Sequence, residues 1–442
     1  MSSSQQANGA AVVIKMVIIG IIILVLLIPA SMIGFLVDER EERKDEAVTE
    51  VLSKWAGEQT IFVPVLSVPY TEEETHNGNQ IIVTKYLNIL PDELNIDGDI
   101  QTKNLSRGIY DVLAYTTYLN IDGKFSSPGT ADLSINKNSI QWNNAVLLLS
   151  ISDLKGMQEN VDLDWNGTQY RLNPEALKQD IAIPGTKLGV NIPIKSTNQN
   201  FEFSTKLSLR GGQRLAFFPA GDQTNVKLKS DWHAPSFDGP FLPDERSVTD
   251  SGFDASWKIL QLNRAFPKVW HNNAPQYSEE ENQSFGATLL IPVDEYQKTT
   301  RSIKYAAMII ALSFLVFFFV EILNKIRIHP IQYTLVGLSL VLFFSLLLSF
   351  SEHISFNLSY LVSTLATVLA VSLYSKSIFK DIKLTLLQSF ILLGLYIFMF
   401  VIIQMQDYAL LMGSIALFVV LSIVMYISRK INWYSINSKK ES

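Results

Sequence analysis

The 442-residue chain contains no cysteine. Disulfide staples, thiol nucleophiles and thiolate metal sites are therefore excluded. The compartment stays open, because a domain of sufficient size buries a core without staples. Histidine is scarce: His76, His233, His271, His329 and His353 are the full set. None has a second ligand at H-E-x-x-H spacing. Glu352 and His353 are adjacent, so on a helix their side chains diverge by about 100° and do not chelate one ion. No metal and no cofactor is expected. Excess positive charge is lacking too. The formal net charge of −6 argues against a nucleic-acid partner, which requires a basic face. Nucleophile elbow, P-loop and dinucleotide fingerprints do not occur. Ser-x-x-Lys is found at Ser134/Lys137, Ser152/Lys155 and Ser377/Lys380. The S-D-N and K-T-G elements that give it meaning in penicillin-binding enzymes are missing. Asp162 and Asp164 flank Leu163 on one face of a strand, which reads as a solvated edge rather than an acid–base pair. No residue is assigned as catalytic.

What the chain does have is long apolar runs at its two ends and a polar middle, which a mean hydropathy of +0.19 averages away. Residues 16–37 are nearly uninterrupted Ile, Leu and Val behind Lys15, long enough to cross a hydrocarbon core of about 30 Å. The run exceeds a signal-peptide core, and around Pro29 and Ala30 the small-x-small pattern of a cleavage site is missing because the paired positions include bulky residues, so it reads as an uncleaved anchor. Five further spans are predicted near 304–323, 331–350, 357–374, 384–403 and 408–427. Polar joints separate them, among them Lys325 to Pro330, Glu352-His353, Lys376 to Lys383, and Gln404 to Asp407.

The basic flanks Lys15, Lys325, Arg327, Lys376, Lys380, Lys383, Arg429, Lys430, Lys439 and Lys440 fall on one side. Arg40, Arg43, Lys44, Lys298, Arg301 and Lys304 border the long middle segment, where charge bias is a weaker guide. Both termini are thus expected in the cytoplasm. The organisation predicted is a tail (1–15), an anchor helix (16–37), a periplasmic β-rich domain with an N-terminal helix (38–303), a five-helix transmembrane bundle (304–427) and a second tail (428–442).

Within the middle segment, Val48, Val51, Leu52 and Trp55 form one helical stripe, either a stalk or a face packed on the domain. Beyond residue 60 the period becomes two. Phe201, Phe203, Thr205, Leu207 and Leu209 alternate with polar residues, as do Val226, Leu228 and Ser230, the mark of half-buried strands. Gly211-Gly212, Asp97-Gly98 and Asp122-Gly123 read as hairpin turns. The expected fold is α + β, with a large antiparallel, sandwich-like sheet domain.

Two places invite function. In the segment 232–243, three prolines and a glycine break regular pairing. Trp232, His233, Phe237 and Phe241 there are either a contact surface or a plug for one end of the sandwich. At the membrane junctions stand Glu321, His329, Glu352 and His353. An acid inside a span costs about 2.5–3.5 kcal/mol on insertion scales. Glu321 is therefore expected to pair, with Lys325 at i+4, or to relay protons.

Several ordered stretches resemble the CreD family of inner-membrane proteins: Arg107 to Tyr110, Trp232 to Pro243, Tyr305 to Glu321, His329 to Tyr333, Ser351 to His353 and Asn432 to Tyr434. The resemblance spans the chain after its polar tail. It implies a Gram-negative cytoplasmic-membrane protein linked to envelope integrity, in a regulon run by a two-component system, with no catalytic residues to carry over. The expectation is a non-enzymatic envelope protein whose domain binds an envelope protein or cell-wall component. The rivals are a transporter or channel in the bundle and a periplasmic hydrolase of cell-wall material. Besides the bilayer no partner is identified, and the oligomeric state is left open.

Overall fold

The computed structural model describes residues 3–76, 79–127, 135–174, 185–264, 266–271, 283–291, 295–324, 326–405 and 408–429. Ser134, Lys325, Asp407 and the stretch Asn432 to Tyr434 lie outside the described residues. The chain divides into two compact units, residues 1–45 with 293–442, and residues 46–292.

The first unit is helical. Helix α1 runs Ser3–Trp55 without a break, Pro29 included. It is followed much later in the chain by α2 (Glu295–Lys304), α3 (Ala306–Asn324), α4 (Pro330–Ser351), α5 (Phe356–Phe379), α6 (Ile382–Gln404) and α7 (Ala409–Ser428). Six of the helices are long and apolar enough to cross a bilayer, and α2 is not among them. The joints follow from local chemistry. His329 caps α4: its Nδ1 accepts from the Ile331 amide at 3.2 Å, Gln332 answers by accepting from the His329 amide at 2.8 Å, and Pro330 takes the first turn, where its missing N–H costs nothing. Lys380 closes α5 in the left-handed region (φ 54°), and Asp381 caps α6 by accepting from the Lys383 amide at 2.8 Å. A shared core of Leu26, Phe314, Phe317, Val336, Leu340, Phe343 and Tyr396 joins α1, α3, α4 and α6. Contact is close enough that a Cβ on Gly337 would stand 2.1 Å from Leu26 Cδ1. The outward faces carry exposed Leu24, Phe35, Leu369, Phe390 and Phe418; such a belt is stable only against lipid.

The second unit is built of strands β1 (Gln59–His76), β2 (Asn79–Ile89), β3 (Glu93–Arg107), β4 (Tyr110–Phe125), β5 (Val146–Ile151), β6 (Asp162–Trp165), β7 (Thr168–Arg171), β8 (Thr186–Asn191), β9 (Phe201–Gly212), β10 (Arg214–Phe217), β11 (Gln223–Ser230), β12 (Pro235–Asp238), β13 (Glu245–Thr249), β14 (Gly252–Leu260), β15 (Val269–His271) and β16 (Phe285–Leu289). They form two eight-stranded sheets. One has the order β12-β16-β10-β1-β2-β15, with β5 paired to β1 and β8 to β5; the other is β13-β14-β11-β3-β4-β9-β6-β7. Pairing is antiparallel except for β1 with β10 and β11 with β3, so each sheet is mixed. One continuous core draws on both sheets, including Ile61, Leu147, Phe217 and Phe285 from the first and Leu94, Ile121, Phe203 and Trp257 from the second. This is the sandwich the alternation implies. The stripe at the end of α1 packs on the second sheet: Leu52, flanked by Val48, Val51 and Trp55, meets Val112 and Ala114.

The dipeptides read as hairpin turns are not turns. Asp97-Gly98 lies inside β3, Asp122-Gly123 inside β4, and Gly211-Gly212 at the end of β9, still paired with β4. These glycines provide room for a neighbour. A Cβ would stand 2.7 Å from Leu228 at Gly98, 2.4 Å from the Glu93 carbonyl at Gly123, 2.3 Å from the Tyr115 hydroxyl at Gly211 and 2.4 Å from Leu52 at Gly212. After Gly212 the chain steps from one sheet to the other at Gln213 (φ 59°) instead of folding back. The positive φ that marks true hairpin tips occurs at Gly108 (62°) between β3 and β4, and at Asn166-Gly167 (49° and 80°) between β6 and β7.

Candidate functional sites

The aromatic segment 232–243 leaves the second sheet after β11, adds β12 to the edge of the first beside β16, and returns to β13. Its rings face inward. Phe237 meets Phe253 and Trp257 edge-on at 5.6 and 5.8 Å, and Phe241 meets Phe285 at 5.9 Å. Polar ends are tied as well: Trp232 Nε1 donates to the Leu290 carbonyl at 2.9 Å, and Trp257 Nε1 to the Phe241 carbonyl at 3.1 Å. Arg214 holds Asp238 through Nε and Nη2 at 3.0 and 2.8 Å, and the Thr288 hydroxyl donates to the same carboxylate. Gly239 (φ 92°) sits where a Cβ would stand 2.3 Å from the Ser284 carbonyl. Trp232, Phe237 and Phe241 are thus half-buried wall residues, while His233 and Leu242 face solvent.

A half-buried charged group escapes sequence reading. Lys268 donates to Asp92 and, at 2.6 Å, to Asp222. Arg264 donates to Asp222 at 3.1 Å and to the Ala220 carbonyl at 2.6 Å, with its guanidinium 5.2 Å from the Phe266 ring. Burial raises the Asp92 pKa, but the bonds from the Lys268 ammonium and the Ser126 amide outweigh it and hold the carboxyl below its usual range. Burial lowers the Lys268 pKa, and the bonds to Asp222 and Asp92 outweigh that and raise it. The four charges come from the joints beside β3, β11 and β15, so no sequence spacing announces them.

The junction residues of the helical unit separate to its two ends. At one end Glu321, only 8% exposed, is fully engaged. Lys15 of α1 pairs with its Oε1, the Ile328 amide donates to the same oxygen at 3.1 Å, and the Tyr333 hydroxyl donates to Oε2 at 3.0 Å. Lys15 also donates to the Ile328 carbonyl at 2.7 Å. A partner for Glu321 was expected at Lys325, outside the described residues; the partner seen is 306 positions away. His329, nearby, is spent on its cap. At the other end Glu352 accepts from Tyr296 at 3.3 Å and lies 3.6 Å from Arg40 Nε. Glu295 accepts from the Phe356 amide at 3.2 Å, while His353 is exposed. These bonds tie α1, α2 and the α4–α5 turn together.

Other candidates resolve into structure. Asp162 pairs with Arg171 at 3.0 Å across the β6–β7 hairpin, and Asp164 accepts from the Gly167 amide and Gln169 at 2.8 and 2.9 Å. Ser152 donates to the Glu58 carbonyl at 2.8 Å and Ser377 to that of Tyr374 at 2.7 Å. On the outer face of the second sheet an open cleft of about 970 Å³ is lined by Asp97, Asp99, Tyr118, Lys227, Lys229 and Arg246. The parallel register sets Lys227 beside Asp97 and Lys229 beside Asp99.

Apolar helices with a lipid-facing belt, charged residues tied at both ends, and a two-sheet domain between the first helix and the rest define a multi-pass membrane protein. The chain belongs to the CreD family: the family profile described as "Inner membrane protein CreD" matches residues 11–434. It is 30% identical over 431 residues to the inner membrane protein CreD of Escherichia coli strain K12, covering 95% of this chain and 93% of that protein. It is an inner-membrane protein, and the bilayer is its solvent along the bundle.

Proposed function

We propose that the protein supports cell-envelope integrity. In this reading the β domain stands in the periplasm, both termini are cytoplasmic, and the domain binds an envelope protein or a wall polymer. The cleft on the second sheet carries the proposal. It is broad, open and lined by alternating acids and bases, a surface suited to a partner bearing both signs of charge. The aromatic segment supports the cleft's sheet from behind, through Phe237 on Trp257. A binding role rather than a catalytic one is supported by the acids, since Glu321, Asp92 and Asp238 are each committed to structural pairs.

The test is crosslinking in native membranes followed by recovery of the protein. Reversing Lys227, Lys229 and Arg246 to Glu is expected to abolish a specific crosslinked species. A His233→Ala/Leu242→Ser variant, altered at exposed positions of the aromatic segment, should retain it. Protease or muramidase digestion then tells a protein partner from wall polymer. Equal recovery from wild type and the charge-reversed variant removes the cleft from consideration.

A further inference from the structure

Inside the bundle, six side chains that are 4% exposed or less carry a polar atom without a hydrogen-bond partner among the described residues: Ser313, Ser363, Thr364, Ser375, Gln388 and Tyr396. Their placement is ordered. The Asn357–Gln404 bond (2.8 Å) and the Ser372–Ser389 bond (2.5 Å) fix the antiparallel register of α5 and α6, which sets Gln388 beside the turn holding Ser375. Phe317 and Phe379 touch at 5.3 Å and align α3 with α5. One turn back along each helix from that contact stand Ser313 and Ser375. Three helices thus bring two hydroxyls and an amide oxygen to one level. About 18 Å away along α5, by twelve residues at 1.5 Å each, Ser363 and Thr364 share a second level with the Tyr396 hydroxyl, where Tyr360 donates to the Tyr396 carbonyl at 2.7 Å.

Helical serines ordinarily satisfy themselves on a carbonyl one turn back. Their neighbours do so: in the Ser372–Ser389 pair one hydroxyl donates to its own helix carbonyl (Val368 at 2.6 Å or Thr385 at 2.8 Å) while the other donates across to it. Ser313, Ser363 and Ser375 do not, so their hydroxyls are free to bond across the helix contacts. An unsatisfied buried dipole costs about 1–3 kcal/mol, and a hydrocarbon surround offers no compensation. Six on packed helices are stable together only with something to bond to. The buried groups at both levels are uncharged. The Lys15–Glu321 pair lies about two turns along α3 from Ser313, and Phe317 between them packs on Tyr333 and Phe379.

We propose that the two levels, one at the α3–α5–α6 contact and one between α5 and α6, are internal binding sites for a small uncharged hydrogen-bonding ligand, either water or a polar solute. Absence of native cysteine makes the test clean. Ser363→Cys and Ser375→Cys, both near-isosteric, are compared in native membranes with Val371→Cys (2% exposed, on the same helix between them) and Leu369→Cys (60% exposed, toward lipid). Only the thiolate reacts, and it forms only where water reaches. Methyl methanethiosulfonate should modify the two serine positions on the order of tenfold faster than either control. Rates equal to that of Val371→Cys mean a dry contact and overturn the proposal. Modification by the small reagent alone marks a water-sized site; modification by a bulkier neutral reagent as well marks a solute site. Melting of Ser375→Ala gives an independent reading: a lower melting temperature fits a hydroxyl that holds a ligand, and a higher one fits a bare dipole and overturns the proposal.

Discussion

The two units solve the same problem, charged and polar groups away from water, in opposite ways. In the β domain the four-charge group of Asp92, Asp222, Arg264 and Lys268 sits at strand ends, each member bonded to at least one other. Water is near enough that three of the four keep about a quarter of their side-chain surface. In the helical unit the ionised groups are confined to the two ends, Lys15–Glu321 at one and Arg40–Glu352 at the other. What remains between them is neutral: hydroxyls, an amide and a phenol. Charge is tolerable in a protein interior when paired, and far less so in hydrocarbon. Sorting of charge to the ends is therefore what a lipid solvent imposes, and the neutral middle is where a polar ligand is admissible without a counter-ion.

Removing half of a paired charge tests that contrast most strongly. Among the described residues, Lys15→Met leaves the Glu321 carboxylate buried with the Tyr333 hydroxyl and the Ile328 amide. Breaking a buried pair in this way costs about 3–5 kcal/mol. The melting temperature in detergent should fall sharply, and Lys15→Met/Glu321→Leu should recover much of the loss because no orphan charge remains. If single and double variants melt alike, the two residues are not coupled and Lys15 is simply a flanking base.

The next effect is smaller and concerns how glycine is used. A glycine in a sequence says that a side chain is not tolerated, without saying whether the backbone turns left-handed there or a neighbour presses close. Asp97-Gly98, Asp122-Gly123 and Gly211-Gly212 have the composition of hairpin turns, yet all six residues stay in strands. The neighbours that exclude a Cβ, Leu228, Phe203, Tyr115 and Leu52, come from remote elements. Gly212→Ala is expected to cost about 1–3 kcal/mol by overpacking, and Leu52→Ala in the same chain should relieve part of it. A purely additive double variant, read by chemical unfolding of the full-length protein, would point to backbone strain instead.

The same division explains what else was legible. The spans were readable because length and apolarity are properties of a single segment; α4 and α6 begin and end within two residues of their apolar runs. The alternation at 201–209 was readable for the same reason. Helix α2 was not, because its polar sequence EYQKTTRSIK resembles a solvated flank. The partner of Glu321 was not, because spacing offers only Lys325 and the structure brings in Lys15. The Trp232 to Pro243 segment was flagged by its aromatics, but whether rings face a partner or the core is decided by β16 and β14, which sequence does not place beside it.

The smallest expected effect is a change of slope with pH. Asp92 titrates below its unfolded value because bonds from Lys268 and Ser126 outweigh the opposing effect of burial. A carboxyl depressed in the folded state contributes stability above the unfolded pKa of about 3.9, and the contribution disappears as pH falls through the folded value. Lys268, raised in the folded state, works from the other side: its contribution is complete below about 10.4 and is lost as pH rises through the folded value. The β domain should therefore lose stability below about pH 4 partly through Asp92. Asp92→Asn should flatten that acid limb and, by removing one of the two carboxylates that raise Lys268, weaken the alkaline limb as well. The Lys15–Glu321 end of the bundle serves as the internal control, since Asp92→Asn should leave its melting unchanged. An acid limb of the same slope in Asp92→Asn and wild type would mean that the four-charge group does not act as a unit, and that the β domain holds its charges singly.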